Sequence, residues 1–156
     1  MSTNMWIFQI NPDKVHSDGK KYNIYDFKEA IARGTQDWGP HGGAYYKQVE
    51  IGDIVLFRHV HRRIKKIKTD EYKKWADKIV GLGKIKRIPT DISDIFTISL
   101  DINISRELIE NPLPCDAINE YIPKIMMNKT IIPVVFPDNT NYDTLLEIIK
   151  KHLRLD

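Results

Sequence analysis

Arg58 to Lys68 reads RHVHRRIKKIK, and no acid interrupts it. The run holds six of the chain's 24 Lys and Arg and two of its five His. Elsewhere 18 basic residues stand against 21 acidic ones, so the net charge of +3 is concentrated in one stripe. Phosphate contact is the chemistry such a stripe offers, because nothing acidic neutralises it locally. Arg58, His59, His61, Arg62, Arg63, Lys65, Lys66 and Lys68 are therefore candidates for holding a nucleic-acid backbone. A solvated face is the plainer alternative.

Aromatic residues flank this stripe. In QDWGPHGGAYY, residues 36–46, Trp38 sits among Gly39, Pro40, Gly42 and Gly43 and is followed by Tyr45 and Tyr46. Trp75 lies just after the stripe. A loop rich in Gly and Pro gives an indole little to pack on, so the reading for Trp38 lies between a core side chain and a face on which a base stacks. One base–aromatic stack is worth about 1–3 kcal/mol. Trp6, Phe8 and Phe57 lie in apolar strands and read as core.

Catalytic chemistry finds little support. Cys115, the only cysteine, lies in NPLPCD without a nearby His, and no glycine-flanked serine elbow occurs. His59 and His61 share an extended stretch but have no third ligand at fixed spacing, so no metal is assigned. GLGK lacks the spacing and the Ser or Thr of a phosphate loop, and no cofactor is expected. Pro12-Asp13 and Glu71-Tyr72-Lys73 can be matched to the carboxylate–lysine pattern of metal-dependent nucleases. Nearly 60 residues separate them, however, and Asp13 lies in a turn. A binding module, not an enzyme, is the expectation.

The elements that must position these residues are short. MWIFQI (5–10) reads as a strand stopped by Asn11 and Pro12. Residues 26–33 read as a helix capped by Asp26 and ended by Gly34. Gly52-Asp53 is a turn feeding a strand over 54–58. TDEYKKWADK reads as a helical turn. IVGLGKIKRI (79–88) reads as a strand whose glycines suit a bulge or a tight curve. Residues 94–102 form another strand, and Ser105 starts a helix that Pro112 must end. TIIPVVF (130–136) is a strand whose Pro133 places it at an edge or bulge. Leu145, Ile149 and Leu153 recur at four-residue steps in a last helix, 142–153, capped by Asn141. At 156 residues and 42% hydrophobic the chain is most simply one domain, 1–156, of the α+β class: a small, partly closed β-barrel with flanking helices. No apolar run approaches a membrane span, the start lacks the features of a signal peptide, and the lone cysteine fits a reducing cytoplasm.

In order along the chain, MWIFQINPD, a helix, DW…YYKQVEIGDIVLF and IVGLGKI together resemble the EVE domain of the PUA-like superfamily. ENPLP at 110–114 and TIIPVVFPDNTNYDTLLEIIKK are similar to the tail of EVE domains in McrBC-type, modification-dependent restriction systems. Standalone EVE domains usually carry an Arg-Asn-Tyr motif after the Trp, where this chain has GPHGGAYY. The resemblance implies a PUA-like barrel that takes one modified base into an aromatic pocket, as in the related YTH readers. It also implies a GTP-hydrolysing motor domain on the same full-length chain and a separate nuclease subunit as partners.

The expectation is a DNA-binding targeting module that recognises a modified, methylated base flipped out of the helix. Trp38, Tyr45, Tyr46 and Trp75 would line the pocket, and Gln9 and Asn11 at the end of the first strand would supply hydrogen bonds to the base edge. An RNA-binding PUA-like module and a metal-dependent nuclease are the alternatives.

Overall fold

A computed structural model of the chain describes residues 4–10, 24–39, 46–59, 74–91, 94–122, 131–136 and 141–155, with backbone only for 24–26 and 46. The apolar run MWIFQI forms strand β1 (Met5–Ile10), every side chain of which is buried. Helix α1 (Ile24–Arg33) follows. It starts at Ile24, so Asp26 lies inside the helix and not at its cap position. Gly34 ends it as expected: at φ +83° its N–H returns to the carbonyls of Ala30 and Ile31.

Strand β2 (Thr35–Trp38) comes next, and it corrects the reading of Trp38 as a loop residue. Strands β3 (Ile54–His59), β4 (Lys78–Arg87) and β5 (Phe96–Leu100) follow, then helix α2 (Ile102–Glu110) and the two-residue strand β6 (Leu113–Pro114). A 3₁₀ run (Cys115–Tyr121), strand β7 (Ile131–Pro133) and helix α3 (Tyr142–Leu153) come next, and a short 3₁₀ turn (Tyr46–Gln48) lies between β2 and β3. The hydrogen-bonded order is β2-β5-β4-β3-β1-β7, with β6 on β4. β1 and β3 run parallel, and the other pairs antiparallel. Pro133 lies on the terminal strand of this order, where a missing N–H costs least.

The sheet curls. β3 and β4 separate β1 from β5 in the ladder, yet Phe8 of β1 meets Phe96 of β5 at 5.2 Å and Trp38 of β2 at 4.4 Å between ring centroids. Strands distant in the order thus face each other across an aromatic interior, and the order still runs from β2 to β7 without closing. β4 makes the curve. Its partner register jumps between Phe57–Gly81 and Arg58–Ile79, and again between Ile85–Ile98 and Arg87–Thr97, each jump leaving one extra residue on β4. Such bulges bend and twist a strand. The glycines of IVGLGKI are required by close approach: a Cβ on Gly81 would run into the Phe27 ring, and one on Gly83 would lie 2.6 Å from the Ser99 carbonyl.

Alternation along the strands gives two cores, one on each face of the sheet. Trp6, Phe8, Val55 and Phe57 join Phe27, Trp38, Trp75 and Phe96 in the interior. Met5, Ile7, Ile54 and Leu56 join α2, the 3₁₀ run and α3 on the other face. Helix α2 begins before Ser105: Asp101 is its cap, accepting from the Ile104 N–H. Ser105 is instead buried mid-helix, bonding both the N–H and the carbonyl of Leu82. α3 presents Leu145, Ile149 and Leu153 to the core as the four-residue spacing predicts, behind an Asn141–Thr144 capping box.

Candidate nucleic-acid interface

Gln9 is the junction of the site. It lies one residue from the end of β1, paired in parallel register with Arg58 of β3. Its side-chain Oε1 accepts from Arg58 Nη1 at 2.8 Å. Its main-chain carbonyl accepts from the indole Nε1 of Trp38 at 3.0 Å. Three residues singled out in the sequence, from three strands and up to 49 positions apart, are therefore joined by two buried hydrogen bonds.

Trp38 is a core side chain with 7% of its surface open. One face lies on Phe8, with 35° between the rings, and Phe96 approaches at 6.1 Å. After it, Gly39 rests against Asp94 and Ile95 at φ +122°, a backbone conformation in which a side chain would be strained. That stretch is itself tied down. The Asp94 carboxylate accepts from the N–H and hydroxyl of Thr90 and pairs with Arg87 at 2.7 Å. The N–H groups of Thr90 and Ile95, then the Arg87 guanidinium, hold the Asp94 carboxyl well below the usual carboxylate range.

Arg58 opens the basic run but is itself buried, 8% exposed. One nitrogen serves Gln9, and another pairs with the half-exposed Asp77 at 2.9 Å. Asp77 also closes the root of the long excursion after β3, donating its N–H to the His59 carbonyl at 2.7 Å from a left-handed backbone, φ 58°. The Cys115 thiol lies beside the same guanidinium. Burial pushes the thiol up, against the lowering pull of Arg58. Arg58 is thus committed within the protein, unlike the exposed phosphate ligand the charge run suggested. His59 is fully buried as well.

Trp75 anchors the same root. It is 1% exposed, its Nε1 donates to the Ile109 carbonyl at 2.8 Å, and Lys28 lies over its ring at 4.8 Å. That position offers no open ring face. Asn11, Tyr45, His61, Arg62, Arg63, Lys65, Lys66 and Lys68 lie outside the described residues, as do Asp13, Glu71 and Lys73 of the nuclease pattern and the side chain of Tyr46. Among the described residues no group of three or more His, Cys, Asp or Glu could hold a metal ion.

Sequence reasoning missed two acids. Asp77 was invisible because its partner lies 19 residues back across the excursion. Asp53 was read only as a turn residue. It is buried, and its Oδ2 accepts from both Trp6 Nε1 and the Glu50 N–H at 2.9 Å. The one available signal was the Gly-Asp turn itself, since an Asp that closes a turn often accepts from nearby N–H groups.

No family model and no curated relative matches the sequence. Solved structures share its fold. The NMR structure of Rpa0253 from Rhodopseudomonas palustris matches with a TM-score of 0.52 at 15% identity, over 99% of this chain and 96% of that one. The crystal structure of human THYN1 protein in complex with 5-methylcytosine-containing DNA matches with a TM-score of 0.50 at 11% identity, over 96% and 98%. The α+β, partly closed sheet expected from the sequence is the fold of the chain, and both solved structures share it.

Proposed function

We propose that the chain is a DNA-binding module that recognises a modified, methylated base, received where Gln9, Trp38 and Arg58 meet. The observation that carries this reading is that junction, set at the strand ends from which the basic run departs. The shared fold supports it, because the human THYN1 structure is a complex with 5-methylcytosine-containing DNA.

The chemistry has three parts. Residues 60–68 would hold phosphates, which position a duplex without reading it. Extruding one base costs a few kcal/mol. Stacking on Trp38, with Tyr45 or Tyr46 as a second aromatic, would offset that. With so little of the Trp38 ring open, an arriving base must displace what covers it, so capture and a local opening are one event. Burying one methyl adds only about 0.8 kcal/mol, roughly a fourfold preference. Stronger discrimination would come from hydrogen bonds to the base edge, for which Gln9 and Asn11 are the candidates. Trp75 supports the root of the excursion in this scheme. The module acts without turnover, as the targeting part of a McrBC-type system in which a GTP-hydrolysing motor and a separate nuclease do the cutting.

Matched duplexes carrying 6-methyladenine, 5-methylcytosine, 5-hydroxymethylcytosine or no modification test this. One modified duplex should bind more tightly than the plain one. Equal affinity for all four would refute base reading, and preference for single-stranded RNA would favour an RNA-binding module. Reversing Arg62, Arg63, Lys65 and Lys66 to Glu should weaken all duplexes alike and flatten the salt dependence, by roughly 0.9 in log–log slope for each phosphate the protein no longer holds.

A further inference from the structure

Arg58 opens the basic run, yet its surroundings differ from those of a phosphate ligand. Its side chain is more than nine-tenths buried, its charge is met by Asp77 at 2.9 Å, and a second nitrogen is bonded to Gln9 at 2.8 Å. A guanidinium is a flat fork of donors with no acceptor, so it can hold two oxygens in fixed directions at once. Here those oxygens belong to the root of the excursion, Asp77, and to the end of β1, Gln9. Gln9 in turn carries Trp38 on its carbonyl. The result is one continuous chain of polar contacts, Asp77–Arg58–Gln9–Trp38, running from the base of the cationic excursion to the aromatic interior.

We infer that Arg58 is a positioning residue for base discrimination, acting through Gln9 on Trp38, and contributes nothing to phosphate contact. The inference rests on the proposed reading of a modified base. It separates two jobs that the charge run alone would merge: residues beyond His59 set affinity for any duplex, and Arg58 sets the preference among duplexes.

Two substitutions divide these jobs. Arg58→Lys keeps the charge but replaces the fork with a single ammonium that cannot hold Gln9 and Asp77 in the same geometry. Arg58→Gln removes the charge. Both would be titrated with plain and modified duplexes over a range of salt, and the exchange of the three indole N–H protons would be followed by NMR. Arg58→Lys should bring the ratio of plain to modified dissociation constants close to one. It should also speed exchange of the Trp38 indole by about tenfold, the equivalent of one hydrogen bond removed, while the Trp6 indole on Asp53 stays as it was. Arg58→Gln should leave the salt slope unchanged. A slope shallower by about 0.9 would make Arg58 a phosphate contact and overturn the inference. So would a Lys variant that keeps its discrimination, or one in which all three indoles open equally, because the role would then be general stability. If the wild type does not discriminate at all, the base-reading proposal fails on its own, and the indole exchange and salt slope still decide what Arg58 does.

Discussion

The two faces of the sheet are made of different material. The outer face is mainly aliphatic: Met5, Ile7, Ile54 and Leu56 meet Leu108, Ile118, Ile132, Leu145 and Ile149, with Tyr121 among them. The inner face is rich in aromatic rings, and three of them carry a polar handle. The indoles of Trp6, Trp38 and Trp75 donate to Asp53, to the Gln9 carbonyl and to the Ile109 carbonyl. Aliphatic side chains fill space and leave nothing to aim. Indoles fill space and also fix direction, since a buried N–H left without an acceptor is costly. The outer core therefore holds the sheet together, and the inner one in addition specifies where strand ends lie relative to each other. Of the candidate site residues, Trp38 and Trp75 lie on this second kind of core, and Gln9 is joined to it through the main-chain carbonyl that accepts from the Trp38 indole.

The largest effect expected is on the outer face. Ile149 is fully buried in the middle of α3, so Ile149→Asp should bury a charge without a partner and cost about 4 kcal/mol or more. Ile149→Leu conserves volume and should cost less than about 1.5 kcal/mol. A denaturant titration separates them. An Asp variant that melts with the wild type would mean that α3 is not docked, and the contrast between a supporting face and a specifying one would lose its first half.

That helix was the most legible part of the chain, and the reason is physical. A long amphipathic segment repeats its burial every turn, so Leu145, Ile149 and Leu153 report the core from spacing alone. β1 was legible as an unbroken apolar run. β2 was not, because Thr-Gln-Asp-Trp has no apolar alternation; it exists through pairing with β5, some sixty residues on. Two-residue β6 was beyond any periodic signal. In the site, Gln9, Trp38 and Arg58 could each be named from the sequence, but not their junction, which depends on hydrogen bonds across 29 and 49 positions. For Arg58 the charge run pointed outward, while burial and a distant acid decided otherwise.

The next effect lies on the inner face. Trp38→Ala and Trp75→Ala each remove a buried indole and should each cost about 3–5 kcal/mol. Their functional consequences should differ. The folded fraction of Trp38→Ala should bind plain and modified duplexes alike, whereas Trp75→Ala should keep whatever preference the wild type has. Thermal melts and the duplex panel read the two quantities separately. If both variants lose the preference, the inner face specifies as a whole, and the Gln9 junction has no special standing.

The smallest effect gives the sharpest contrast, because it compares similar damage on the two faces. Ser105→Ala, on the outer side, takes the hydroxyl away from the Leu82 N–H. Trp38→Phe, on the inner side, keeps an aromatic ring but takes the donor away from the Gln9 carbonyl. Each change leaves a buried main-chain group short of a partner, a loss of about 1–3 kcal/mol. Chemical denaturation should therefore find the two variants similarly destabilised. Binding should not treat them alike. With Ser105→Ala the strand ends keep their places, so affinity and preference should match the wild type. With Trp38→Phe the end of β1 is no longer tied to β2, so preference should fall while affinity for plain duplex, carried by phosphate contacts, holds. Equal preference in two equally destabilised variants would show that the indole's hydrogen bond serves stability alone, and that direction within the aromatic core is not what reads the base.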